Sequence, residues 1–289
     1  ICFLSFKQYL RTSKQREITA KLLIIGTFPV LVSGFGQYFF EWYGPIEAFN
    51  GLIIWFQKPL DNEGLTGLFS NQNYAGAWLN VVLPFCIASF INYRGNKLKK
   101  NISLIFSIAI SIGILLTFSR NAWGGLIFSL PFLLGPTSLI WIVPCLLFTF
   151  ISIYFAAFDL GNTSLQSIAR LIVPKDIWSE FNYDFSGRET RLSIWTAALT
   201  QLKNYPLIGY GAGSFSLIYM ELNGAYAGHA HNLPLEFATS FGLPISLFLF
   251  SFIFIIIVVS FKKLLENNAF KKNAIRTALF ERAWWTSFV

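Results

Sequence analysis

Five apolar runs, Leu22–Phe40, Tyr74–Asn92, Ile102–Phe118, Leu139–Phe158 and Gly242–Ser260, constrain this chain more than anything else in it. Each approaches the roughly 20 residues an α-helix needs to cross a hydrocarbon layer about 30 Å thick. Inside that layer every backbone N–H and C=O must find its partner within the segment, so runs of this length imply spanning helices. A sixth run, Ala122–Leu134, is shorter and contains Gly124, Gly125 and Pro131. It is expected to form a short span returning through the "GPTS" turn at Gly135, because membrane helices tolerate such residues. Leu52–Phe56 is too short to cross and is expected at the interface. The composition agrees, with 54% hydrophobic and only 12% charged residues, where a soluble domain carries about 25% charge.

Charge orients the runs. If the chain enters Leu22 from the cytoplasm, the cytoplasmic segments hold fifteen Lys/Arg against three acids, Glu17, Glu266 and Glu281. The opposite side then holds seven Lys/Arg and eleven acids. An excess of Lys/Arg marks the cytoplasmic side, so the far side is expected to be the periplasm. The net charge of +8 therefore reflects topology, and no nucleic-acid partner is expected.

The fold expected is all-α, a polytopic transmembrane bundle with a large periplasmic loop containing short helices. Residues 1–158 would hold the N-terminal spans, 159–241 the loop, and 242–289 a further span with a basic cytoplasmic segment. Ile1 opens the chain and "FERAWWTSFV" closes it as a new apolar stretch begins, so the chain is expected to be a piece of a longer one. The loop carries Trp178, Trp195, Tyr205, Tyr210, Phe215, Tyr219 and Tyr226, amphipathic rings suited to lying against membrane lipids. Cys2, Cys86 and Cys145 are scattered without a metal-pair spacing and are expected as small buried core residues.

Few residues could carry chemistry. Arg120, in "TFSRNAWGG", sits where one span ends and the next begins. An arginine so close to hydrocarbon is either an interfacial anchor or an anion site whose planar fork suits phosphate oxygens. Arg188 and Arg191, in "SGRETRLSIWTAALTQL", share one face of the first turn if a helix starts at Ser186 or Gly187. They could be solvated ion pairs with Glu189 or Asp184, or could strengthen the anion-attracting start of that helix. Its apolar stripe would be Leu192, Trp195, Ala198, Leu199 and Leu202. The alternating Gly209, Gly211 and Gly213 of "NYPLIGYGAGSF" lack the Gly-Lys-Ser/Thr of a phosphate loop. They read as tight turns that bring backbone close to the membrane or a substrate.

Both histidines fall in "GHAHNLPLE", residues 228–236. Asn232 is a favourable N-cap and Pro234 suits a first turn, so a helix over Leu233–Ser240 is expected, ending near Gly242 and Pro244. His231 would then stand just before a helix N-terminus, whose positive end disfavours imidazolium and keeps the ring neutral, as a general base near pH 7 must be. A purely structural histidine is the alternative. His229, His231 and Glu236 could instead ligate zinc, but no further histidine exists and the cysteines lie at other depths, so no metal and no cofactor is expected. No tight Asp/Glu cluster appears either, and this shortage of paired carboxylates also argues against a glycosidase.

"GLFSNQNYAGAWL", "TFSRNAW", "GRETRLSIWTAALTQLKNYPLIGYGAGSF" and "HAHNLPLEFATSFGLP" together resemble the O-antigen ligase/polymerase superfamily of membrane glycosyltransferases. The resemblance covers about Gly67–Ser260. It implies an enzyme of the bacterial inner membrane with its active site facing the periplasm. The reaction implied transfers a glycan from undecaprenyl pyrophosphate to a hydroxyl of a lipid A-core or growing glycan acceptor, with inversion and without metal. Carried onto this chain, the motifs give Arg120 and Arg188, with Arg191 beside them, for the pyrophosphate and His231 as catalytic base. His229, Asn232 and Asn73 take secondary places. Ligase and polymerase are not separated. A membrane solute transporter, after bicarbonate-uptake relatives in the superfamily, is the alternative function. Transporters, however, usually bury ionisable groups near the bilayer midplane, whereas the candidate groups here gather at one face.

Overall fold

A computed structural model of the chain describes residues 8–56, 64–93, 95–135, 138–158, 163–173, 175, 178, 191–224, 226–266 and 279–288. The regular structure of these residues is helical apart from one short antiparallel hairpin, in line with the all-α expectation. The order is α1 (Ser13–Gly26), α2 (Phe28–Phe40), β1 (Pro45–Ala48), β2 (Ile53–Phe56), α3 (Gln72–Asn92), α4 (Lys97–Leu116) and α5 (Arg120–Leu134). There follow α6 (Leu139–Ala157), α7 (Thr163–Ile172), α8 (Arg191–Asn204), α9 (Phe215–Asn223), α10 (Leu233–Phe241), α11 (Leu243–Glu266) and α12 (Leu279–Phe288). The segment expected only to touch the interface, Leu52–Phe56, supplies β2, which pairs with β1 in the register Pro45–Phe56 to Ala48–Ile53.

Five of these helical stretches are long and apolar enough to cross a membrane: Ser13–Phe40, Gln72–Asn92, Lys97–Leu116, Leu139–Ala157 and Leu243–Glu266. Each overlaps one of the five runs read from the sequence, with Thr117, Phe118, Phe158 and Gly242 falling just outside the helices. The first begins well before Leu22, because a Thr12–Gln15 capping box starts α1 on polar residues. Helix α5 has 15 residues, a length of about 22 Å at 1.5 Å per residue, and so falls short of the full hydrocarbon thickness.

The chain divides into two compact units, Ile1–Ile151 with Phe261–Val289, and Ser152–Ser260. In the first, α3 is the central helix. Its Leu79, Val82, Leu83 and Cys86 pack with Val30 and Leu31 of α2, Ile110 and Ile114 of α4 and Ala122 of α5. Its Phe85 and Ala88 join Ala20, Leu133, Leu279, Phe280 and Ala283. Without a hydrophobic drive between helices in lipid, close packing depends on small residues. Gly76 meets Ala122 and Gly125 meets Asn80 so closely that a Cβ on either glycine would clash. Cys86 is buried as expected, but Cys145 is exposed on α6, because that helix carries few of its side chains inward.

In the second unit Ile194, Ala198, Phe215, Tyr219, Ala227 and Ala230 form the core, and Phe215 stacks on Tyr219 at 5.6 Å between ring centroids. The stripe of α8 is rotated from the expected one. Ile194, Ala198, Gln201 and Leu202 are buried, whereas Leu199 is 50% exposed. Trp195 is half-buried, and its indole N–H bonds a carbonyl outside the helix.

Candidate active site

In the second unit the candidate groups are arranged by the start of α10. Asn232 is its N-cap, with extended backbone (φ −150°, ψ 105°) and a side chain that accepts from the Leu235 N–H. Pro234 lies in the first turn, and Gly242 ends the helix at φ +83°. The helix therefore forms where the sequence places it, and His231 is the residue immediately before its cap.

The turn that carries the histidines is held at Ala230, whose side chain is completely buried. The Ala230 N–H donates to Glu236 Oε2 at 2.6 Å, and its carbonyl accepts from Trp195 Nε1 at 2.9 Å. Both polar groups of one peptide-bonded residue are thus tied to side chains from two helices. His231 adopts φ +51°, a left-handed conformation that a non-glycine residue holds only when its surroundings impose it. The imidazoles of His229 and His231 project on the exposed side and meet edge to face, their centroids 4.1 Å apart at 81°. The two rings form a contiguous pair.

At the other end of α10 the glycine-rich loop is bound to the helix. Tyr210 N and Gly211 N donate to the Thr239 and Ser240 carbonyls at 2.8 Å each, and Leu243 N donates to the Pro206 carbonyl at 2.7 Å. The first two bonds satisfy carbonyls that a helix C-terminus leaves without partners. At Gly209 (φ +65°) an added Cβ would lie 2.6 Å from the Ser240 backbone. At Gly209 the close approach is to α10. Gly211 and Gly213 have open space around their Cβ positions.

In the first unit a second cluster gathers at the starts of α3 and α5. Asn71 caps α3 by accepting from the Asn73 N–H at 2.7 Å. Ser119 caps α5 by accepting from the Ala122 N–H, and its hydroxyl donates to Asn73 Oδ1 at 2.7 Å. Phe118, at φ +49°, turns the chain between α4 and α5. The bond joins the "SNQNYAG" and "FSRNAW" segments, 46 residues apart, and sets two helix N-termini side by side. Arg120 is the first residue of α5 and is exposed at that end. Aligned peptide dipoles leave positive charge at such ends, and an arginine adds to it.

Arg188 lies outside the described residues. Arg191 is the first described residue of α8, and its side chain lies outside them too. Asn232 is found as a capping group, which its residue type made legible, whereas Asn73 lies in the first turn of α3 and accepts from the Ser119 hydroxyl. The sequence reading places Trp195 only among apolar and aromatic positions and gives Glu236 only to a metal site. Glu236 is instead occupied with the Ala230 N–H, and among the described residues no group of three or more His, Cys, Asp or Glu could hold a metal ion.

Comparison with known proteins gives one family. Residues 64–250, more than half of the chain, match the family model described as O-antigen ligase. That span contains both clusters, from the start of α3 to α11. No curated protein matches the chain.

Proposed function

Because the chain belongs to the O-antigen ligase family, we propose that it transfers a glycan from undecaprenyl pyrophosphate to a sugar hydroxyl, at the periplasmic face of the bacterial inner membrane. The coarser statement, a multi-pass membrane protein of a glycosyl-transfer family, follows from the match and from the five apolar helices. The finer one is argued from chemistry.

In the proposed reaction the bond between the anomeric carbon and the donor phosphate oxygen breaks, and its electron pair leaves with the lipid pyrophosphate. The acceptor hydroxyl oxygen bonds the anomeric carbon from the opposite face, inverting it, and gives its proton to His231. Negative charge builds on the leaving pyrophosphate, so fixed guanidinium groups stabilise the transition state more than the ground state. Arg120, Arg188 and Arg191 are the groups assigned to it. No step requires a metal ion. The acceptor is a lipid A-core sugar for a ligase and a growing glycan for a polymerase.

The observation that carries this reading is the clamp on Ala230, which holds an exposed His231 in a strained conformation at a helix start. Strained, over-determined backbone concentrates at functional sites. The test is turnover of the protein in lipid vesicles with a lipid-pyrophosphate-linked oligosaccharide and a glycan acceptor. His231→Ala should lower kcat by about 10²–10⁴-fold, the range for general acid–base catalysis, with donor affinity nearly intact. His229→Ala should be much milder. Equal loss from the two changes would remove His231 from the role of base. Surface glycans of a deletion strain assign the acceptor: unmodified core indicates a ligase, and core bearing one repeat a polymerase.

A further inference from the structure

We propose that α7 is an interfacial helix, docked in the headgroup–acyl boundary of the bilayer on the side where α6 ends, with Leu165, Ile168, Leu171 and Ile172 buried among lipid chains. The proposal is independent of any catalytic assignment.

The depth of α7 is set by its neighbour. Arg170 Nε donates to the Ala156 carbonyl at 3.0 Å and Gln166 Nε2 to the Phe158 carbonyl at 3.3 Å. Ala156 is in the last turn of α6, one of the helices long and apolar enough to span a membrane, and Phe158 directly follows that turn. Spanning helices finish where the hydrocarbon finishes, and their last carbonyls need partners there. Ala169 and Val173 pack on Ala156 beside these bonds, with Ile153, Phe155 and Trp178 around them. Helix α7 is therefore fastened at the level where hydrocarbon gives way to headgroups.

Its remaining surface is divided. Leu165, Ile168, Leu171 and Ile172 recur at helical spacing along one side, and all four are exposed, Leu171 by 88%. Ser164 continues that side at the start of the helix, whereas Ser167 lies exposed beyond its edge. An apolar face of this kind, beside a polar one and level with the membrane boundary, is the design of a helix lying in the interface. Two further groups suit that depth. Arg170 lies over the Trp178 ring, 4.4 Å from its centroid, and Trp and Arg are the residues that anchor at headgroup level. The stripe itself contains no cation, so docking depends on apolar burial and not on anionic headgroups.

The test places nitroxide labels on single cysteines in the full chain, with Cys2, Cys86 and Cys145 replaced by alanine, in bilayer discs. Collision with oxygen reports lipid, and collision with a water-soluble nickel chelate reports water. Labels at Ile168 and Ile172 should prefer oxygen as does one at Leu147, an exposed residue within α6, whereas a label at Ser167 should prefer the chelate. The pattern should be the same in zwitterionic and in anionic lipid. Chelate accessibility at Ile168 and Ile172 equal to that at Ser167 would overturn the proposal by showing the stripe in water. Exclusion of both quenchers there would overturn it by showing protein, and loss of the pattern in zwitterionic lipid would show charge-driven contact instead.

Discussion

Trp195 and Ala230 are joined by a 2.9 Å hydrogen bond from indole Nε1 to the carbonyl oxygen, across 35 residues of sequence. Ala230 is completely buried, so water cannot replace the indole, and the bond fixes the residue between the two histidines to α8. Trp195→Phe keeps the ring and removes the donor. A buried carbonyl left without a partner costs about 1–3 kcal/mol, which the turn can relieve only by moving. Turnover should therefore fall by about tenfold or more while the donor KM changes little, since a misplaced catalytic group loses rate before binding. Steady-state kinetics in vesicles check this, and wild-type kcat in the folded variant would show that the bond does not position His231.

Glu236 gives a sharper contrast, because its carboxylate accepts from the Ala230 N–H and a glutamine oxygen can do the same. Glu236→Gln should retain most activity, and Glu236→Ala should lose as much as Trp195→Phe. A metal ligand would behave differently, since an amide is a poor substitute for a carboxylate at zinc. Activity should also survive EDTA. Loss with EDTA, rescued by one divalent ion, together with a dead Glu236→Gln, would restore the zinc site that the His-x-His spacing suggested.

Gly209 and Gly211 separate steric need from conformational freedom. Both have positive φ, but a Cβ at Gly209 would lie 2.6 Å from the Ser240 backbone, whereas one at Gly211 meets nothing within 4 Å. Gly209→Ala must push apart the loop that satisfies the carbonyls of α10, beyond the strain of about 1–3 kcal/mol for an unfavourable backbone region. Gly211→Ala bears that strain alone. Thermal unfolding in detergent should rank Gly209→Ala clearly below Gly211→Ala, and equal midpoints would deny the close contact.

What was legible follows from the range of each cause. The spans were readable because bilayer thickness demands length, and the start of α10 because Asn232 and Pro234 act on their own neighbours. The bonds Trp195–Ala230 and Asn73–Ser119 span 35 and 46 residues, and no local pattern announces them. For the same reason the buried face of α8 was read one step off. Periodicity favoured Leu199 over Ile194, but the packing of Ala230 and Phe215 decided the rotation. Glu236 was noticed for its charge, while its role depends on a turn whose shape only the fold supplies.

Arg120 closes the set, since its place at the paired starts of α3 and α5 suggests a task that charge alone does not complete. Pyrophosphate is anionic before and during the reaction, so Arg120→Ala should weaken donor binding and turnover together. Arg120→Lys keeps the charge but loses the planar fork that bonds two oxygens at once, and should recover only part of each. Ser119→Ala serves as control. It removes the α5 cap and the bond to Asn73, costs about 1 kcal/mol of stability, and leaves the guanidinium in the sequence. If Ser119→Ala matched Arg120→Ala in both constants, the arginine would matter only through the turn that it shares. Full recovery with lysine would mean that a point charge suffices. Loss of donor affinity in Arg120→Ala, measured by binding of the lipid pyrophosphate itself, with partial recovery in Arg120→Lys and a small effect from Ser119→Ala, is the expected outcome.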